Sequence, residues 1–232
     1  MAEKQGVVTI DGPSGAGKST ISRLLAARLD YTYLDTGAMY RAVAFKVREA
    51  GLDLEEASDR AALPGLLAEI DITLAPAASA DDDALVFVNG EEVSAAIRTA
   101  EMGMVASRVS AEPVVREKLT EMQRRLGSRG GVVAEGRDTG TVVFPQAQYK
   151  FYLDANPEER ARRRQLQLRE KGQEVEFHIL LEQITKRDND DSARSLAPLK
   201  PAPDAVIVDT SAMSIEEVIS HMLEKIQSSA LE

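Results

Sequence analysis

Apolar residues along the chain alternate between short unbroken runs and longer stretches in which they return every three or four positions. The first pattern suits strands covered on both faces and the second suits amphipathic helices, so their alternation predicts βαβ units around a parallel sheet. Val7-Val8-Thr9-Ile10 is a β-branched run ending in a glycine-rich turn. Helical spacing starts at Ser19 and sets Ile21, Leu24, Leu25 and Leu29 on one side. A short strand over 31–35 precedes a helix through Tyr40, Val43, Ala44 and Val47, which stops at Gly51. Further strands are predicted at 131–135, 149–153 and 205–209, and a last helix opens on the capping box of Ser214 and Glu217. The expected fold class is α/β, with about five parallel strands flanked by helices.

One stretch breaks this rhythm. Residues 70–74 and 85–88 read as strands separated by a loop with the acidic tip Asp81-Asp82-Asp83. Asn89-Gly90 then signals a tight hairpin turn before Glu91-Glu92-Val93. Antiparallel pairing inside a parallel fold predicts a small inserted subdomain over about 66–103. Met102 and Met104 near its boundary read as packing residues, and the three aspartates read as a solvated tip.

Charge is distributed unevenly over this plan. The 232 residues carry 28 Lys+Arg against 38 Asp+Glu, a formal charge of −10. Eight acidic residues and only Arg98 as a base fall in 66–103. Such acidity argues against polymeric nucleic acid and anionic membranes as partners, since both favour positive surface. No apolar run approaches the ~20 residues of a membrane span, and Met1-Ala2-Glu3-Lys4-Gln5 lacks a signal-peptide core. A cytoplasmic protein is expected. There is no Cys, and His178 and His221 are the only histidines, so thiolate chemistry and multi-His metal cages are excluded. Both histidines fall in predicted helices and read as solvent or packing residues.

The glycine-rich turn carries chemistry. Gly12-Pro13-Ser14-Gly15-Ala16-Gly17-Lys18-Ser19 fits the P-loop pattern in full, with Thr20 continuing into the helix. Glycines let successive N–H groups turn inward as an anion nest, and the following helix points its positive end at the phosphates. Lys18 is placed to reach the β- and γ-phosphates, and the Ser19 hydroxyl to ligate Mg²⁺. ATP or a similar triphosphate is implied. No Asn-Lys-x-Asp guanine-reading motif follows.

Arginine usage adds a second theme. Arg160, Arg162, Arg163, Arg164, Arg169 and Lys171 lie within twelve residues, opposed only by Glu170. Arginine suits bidentate phosphate contact and charge neutralisation during phosphoryl transfer. Next to a P-loop, the run reads as a lid from which at least one of Arg160, Arg163 and Arg164 contacts the transferring phosphate.

The chain resembles the bacterial-type cytidylate kinases, P-loop nucleoside monophosphate kinases that phosphorylate CMP and dCMP. The resemblance extends from Ile10 to Leu223. Besides the P-loop it rests on Leu34-Asp35-Thr36-Gly37-Ala38-Met39-Tyr40-Arg41, on Val93-Ser94 with Ile97-Arg98-Thr99, and on Gly136-Arg137-Asp138-Thr139-Gly140-Thr141-Val142-Val143-Phe144-Pro145. Lys186-Arg187-Asp188 through Arg194 and Ala197-Pro198-Leu199 complete it. The P-loop alone is shared by many families, whereas the Gly-Arg-Asp block together with the inserted hairpin is more specific.

The resemblance implies a core of residues 1–38, 104–155 and 173–232, a monophosphate-binding region over 39–103 that contains the insertion, and a lid over 156–172. It carries phosphate contacts to Arg41, Arg137 and Arg194, and ribose contacts to Arg187 and Asp191. Cytosine contacts fall to Thr36, Ser107, Arg116 and Asp138, with Thr36 standing where many relatives have Ser. ATP, Mg²⁺, the substrates CMP and dCMP, a role in pyrimidine metabolism and a monomeric state follow as expectations.

The residue chemistry agrees. Arg187, Asp191 and Arg194 are spaced i, i+4, i+7, which one helix would bring to one face. A carboxylate at Asp138 suits the N4 amino group of cytosine, and a guanidinium at Arg116 suits its N3 and O2 acceptors. Two other readings stand beside this one: a kinase for UMP or dTMP, and a nucleotide-dependent regulatory binding module.

Overall fold

In the computed structural model, residues 6–76, 79, 82–170 and 172–229 are described. The tip residue Asp81, Lys171 of the arginine run and Met1–Gln5 lie outside them. Contacts divide the chain into two units, one made of the segments up to Thr32 and from Gly130 onward, the other Tyr33–Arg129.

The first unit is built around a parallel sheet. Its strands are β1 (Val7–Asp11), β6 (Val132–Gly136), β7 (Tyr149–Asp154) and β8 (Val206–Asp209), and β2 (Thr32–Asp35), in which the unit boundary falls, completes the order β2-β6-β1-β7-β8. Val8, Ile10, Val133, Phe151 and Leu153 are almost wholly shielded from solvent. They need both sheet faces covered, which explains their unbroken apolar runs. The register sets Asp11 beside both Gly136 and Tyr152, so the carboxyl ends of three strands meet where the P-loop leaves the sheet.

Helix α1 (Lys18–Leu29) follows the P-loop and packs on α8 (Ile215–Ser229), whose Val218, Ile219 and Met222 are buried. The capping box forms as its sequence pattern predicts: Ser214 N and Oγ both donate to Glu217 Oε2 at 2.8 Å. Helix α6 (Pro157–Glu170) packs on α7 (Phe177–Ser192) through Ala161, Leu168, Leu180 and Ile184. His178 is exposed on α7 and His221 half-buried on α8.

The second unit joins three further helices to α2 (Thr36–Glu49). These are α3 (Ala57–Ala68), α4 (Ala100–Val109) and α5 (Pro113–Gly127), and α2 contacts each of them. An antiparallel sheet of β3 (Ile72–Ala75), β4 (Leu85–Val88) and β5 (Glu91–Glu92) supplies the inserted hairpin. Asn89 and Gly90 turn it with φ of 52° and 83°. Both angles are positive, as a two-residue turn of this kind requires.

The structure departs from the sequence reading in several places. Residues 33–38 and 104–129 group with the second unit rather than with the P-loop core. The antiparallel segment spans 72–92, because 57–68 is helical despite Pro64 and helix resumes at Ala100. Asp83 of the acidic tip is partly solvated but is also paired, its Oδ2 lying 3.0 Å from Arg98 Nε. Met102 is fully buried as expected, but Met104 is 63% exposed because it points to the opposite side of α4.

Candidate active site

Backbone geometry forms the cradle at the end of β1. Gly12 has φ of 148°, and a Cβ there would stand 2.0 Å from the Leu153 carbonyl oxygen, so only glycine fits. Gly17, also left-handed at φ 87°, turns the chain into α1. Lys18 is buried and its Nζ donates to the Pro13 carbonyl at 2.6 Å. Burial, aided by the Arg137 guanidinium, brings the Lys18 ammonium down to about 7.

Two carboxylates at neighbouring strand ends flank this loop. Asp11 Oδ1 accepts from the N–H and the hydroxyl of Thr139 at 2.8 and 2.7 Å, and Oδ2 accepts from Gly140 N at 2.8 Å. Burial pushes the Asp11 carboxyl up while these donors pull against it. The π-helical turn Thr139–Val143 is thereby fastened under β1. Glu135, at the end of β6, accepts from the Ser19 hydroxyl at 2.8 Å through Oε1.

A cluster of arginines surrounds a third carboxylate. Arg137 Nε donates to Asp191 Oδ2 at 3.0 Å, and Arg194 Nη2 donates to Asp191 Oδ1. Asp191 is 1% exposed. Burial would raise its carboxyl, yet Arg137, Arg194 and Arg187 outweigh that and hold it below the ordinary range. Arg187 Nη1 reaches Ser14 Oγ at 3.5 Å. The i, i+4, i+7 spacing is only partly realised, because α7 ends at Ser192 and Arg194 meets Asp191 from the turn beyond it.

The arginine run of α6 divides its contacts. Arg160 is 3% exposed and donates to Ala155 O, Ser14 O and Asp188 Oδ2. Arg163 donates to Thr210 O and Oγ1 and to Glu159. Arg162 lies 6.0 Å over the Phe177 ring. Arg164 is half-buried on the same helix.

In the second unit, Thr36 and Arg41 stand on α2, Ser107 on α4 and Arg116 on α5. Asp35 caps α2, accepting from Ala38 N at 2.8 Å, and burial raises its carboxyl against the pull of Arg41 and Arg98. Thr36 is thus fixed, buried, in the first helical turn. Arg41 Nη1 donates to Ile97 O at 3.2 Å. Arg116 is 7% exposed, donates to Ser110 O at 2.9 Å and lies 5.6 Å over the Tyr40 ring. The unit therefore packs two of its candidate helices through a cation–π contact.

A family model described as cytidylate kinase matches residues 8–228. The chain belongs to the cytidylate kinase family. It is 48% identical over 221 residues to a cytidylate kinase of Syntrophotalea carbinolica, covering 95% of this chain and 92% of that protein. A cytidylate kinase of Geobacter sp. strain M21 is 49% identical, with coverages of 93% and 90%. Among solved structures, an uncharacterized protein from Eubacterium ventriosum aligns with a TM-score of 0.50 at 9% identity, over 97% of this chain and 99% of that one, a likeness of fold alone. This family member is a P-loop kinase whose substrates are nucleotides, and it acts on cytidylate. Among its described residues, no helix is long and apolar enough to cross a membrane.

The sequence reading overlooked several residues of this kinase. Glu135 carried a signal, an acid at the carboxyl end of a strand in the same sheet as the P-loop strand, but only the register shows it beside Ser19. Asp188, within α7, was quoted only as part of a motif, and Asp11 and Thr210 gave no signal separable from ordinary chemistry at strand ends. Arg98, quoted only as part of a motif, binds Ser94 O and Ala84 O as well as Asp83 and so ties the hairpin together.

Proposed function

We propose that this kinase transfers the γ-phosphoryl group of ATP to CMP and dCMP, giving CDP and dCDP. The observation that carries the reading is the Arg137–Asp191–Arg194 cluster beside a complete P-loop. A buried carboxylate there fixes two guanidinium groups, which suits a second phosphate-bearing ligand. A nucleotide-dependent switch has no use for such a second anion site.

In this reading Gly12–Thr20 cradles the donor phosphates, and Lys18 neutralises charge on the β- and γ-phosphates. Ser19 and Glu135 offer two hard oxygen ligands, a donor set that fits Mg²⁺. When bound, Mg²⁺ supplies charge neutralisation on the phosphates. Arg41, Arg137 and Arg194 hold the acceptor phosphate, and Arg187 and Asp191 the ribose. Thr36, Ser107, Arg116 and Asp138 read the cytosine. Residues 156–172 act as a lid, from which Arg163 or Arg164 adds positive charge at the transferring group. An acceptor phosphate is already anionic at neutral pH, so positioning and electrostatics do the work without a strong general base. In this reading the kinase is a cytoplasmic monomer acting on small molecules.

The test is incubation with Mg²⁺·ATP and a panel of nucleoside monophosphates, with detection of diphosphate products. CDP and dCDP are the expected products, well ahead of UDP and dTDP. Preferential phosphorylation of UMP or dTMP would refute the base assignment.

A further inference from the structure

Asp188 sits within the Lys186-Arg187-Asp188 motif but has no part in the reading above. Its Oδ2 accepts from Arg160 Nη1 at 2.6 Å, while its Oδ1 is buried without a hydrogen-bond partner among the described residues. The same Arg160 Nη1 donates to the Ser14 carbonyl at 3.0 Å, and Arg160 Nε donates to the Ala155 carbonyl at 2.8 Å. One nearly buried guanidinium thus links α6, α7 and the P-loop. The approach is close, because a Cβ on Gly15 would stand 3.2 Å from Arg160 Cβ.

The peptide joining Ser14 to Gly15 is planar, with its C=O and N–H pointing opposite ways. Holding the Ser14 oxygen towards α6 therefore aims the Gly15 N–H the other way, as an anion nest requires. Lys18 Nζ holds the Pro13 carbonyl in the same manner one peptide earlier. Asp188 fixes the guanidinium that does this holding, at the cost of a desolvated carboxylate oxygen. An arginine reserved for the transferring phosphoryl group would gain nothing from three protein acceptors.

We propose that Arg160 and Asp188 are positioning residues, a brace from α6 and α7 that holds the Ser14–Gly15 peptide in its phosphate-binding orientation. The proposal rests on the reading of ATP as phosphate donor. It gives Arg160 a role in cradle geometry and leaves phosphate contact from the lid to its neighbours.

The test compares Arg160→Lys, Asp188→Asn and the double variant with the wild-type enzyme. A fluorescent ATP analogue reports donor affinity, calorimetry reports CMP affinity, and thermal unfolding reports stability. Asp188→Asn keeps size and shape, so it remains informative if Arg160→Lys folds poorly. Each single variant should weaken the ATP analogue about 10-fold, the scale of one lost charge-assisted hydrogen bond. The double variant should be no worse than either single one, and CMP affinity should stay within about twofold. Unchanged analogue affinity in Asp188→Asn, or additive losses in the double variant, would overturn the brace. So would a fall in stability without a fall in affinity. Failure of the wild-type enzyme to bind the analogue would instead overturn the ATP reading on which the brace rests.

Discussion

The Ser19 hydroxyl donates to Oε1 of Glu135 across 2.8 Å, joining the first turn of α1 to the carboxyl end of β6. Two side-chain oxygens from adjacent elements meet there beside the buried Lys18.

If this pair holds Mg²⁺, Glu135→Gln keeps the hydrogen bond but loses the charge that attracts the cation. The Mg²⁺ concentration for half-maximal activity should rise at least ~10-fold, the lower end of losses seen around metal sites. Magnesium titration at fixed nucleotide measures it. An unchanged titration curve would show that Glu135 only orients Ser19.

Asp191 carries the main pH-dependent prediction. Its carboxyl is held low by Arg137, Arg194 and Arg187 against the opposing effect of burial. A depressed carboxylate contributes stability that is present above its unfolded value near ~4 and is lost as pH falls through the folded value. Asp191→Asn leaves the arginines facing one another and should cost about 3 kcal/mol at pH 7. That corresponds to a fall in melting temperature of roughly 6–12 °C for a chain of this size. The difference from wild type should shrink towards pH 3, and thermal unfolding across pH tests both statements.

These two sites differ in how far the sequence exposed them. The P-loop was legible because glycine spacing and a preceding β-branched run are local, and the Asn89-Gly90 turn and Ser214–Glu217 box for the same reason. Helix α3 was not, since Pro64 interrupts its pattern, whereas α4 and α5 do carry a helical spacing of apolar positions. The π-helical turn at 139–143 has no periodic signature, and it is fastened by Asp11, 128 residues away in sequence. Likewise, helical spacing linked Arg187, Asp191 and Arg194, but α7 stops at Ser192 and tertiary pairing does the rest. Glu135 and Asp188 became visible only once β6 lay beside β1 and α7 beside α6.

Asp138 follows β6 and is buried at the start of the π-helical turn. If it accepts from the cytosine amino group, uracil would set a carbonyl against it, a mismatch of about 1–3 kcal/mol. Asp138→Ala should therefore narrow the CMP-over-UMP ratio of kcat/KM by about 5- to 150-fold and leave ATP affinity near wild type. Steady-state kinetics with both acceptors decide it, and an equal loss on CMP and UMP would remove Asp138 from base reading.

Lys18→Ala should lose nearly all turnover while the protein still folds. The lysine is a buried cation whose desolvation opposes its charge, which offsets the loss of its hydrogen bond to the Pro13 carbonyl. Activity and unfolding measured on the same sample separate the two effects, and substantial residual turnover would contradict the role given to Lys18.

The most direct measurement follows the fate of the donor phosphate. The enzyme is mixed with CMP and ATP labelled at the γ-phosphate, and the products are separated. Direct transfer predicts label in the β-phosphate of CDP, in step with ADP formation, and little free phosphate. Label released as inorganic phosphate, with CMP left unchanged, would contradict it.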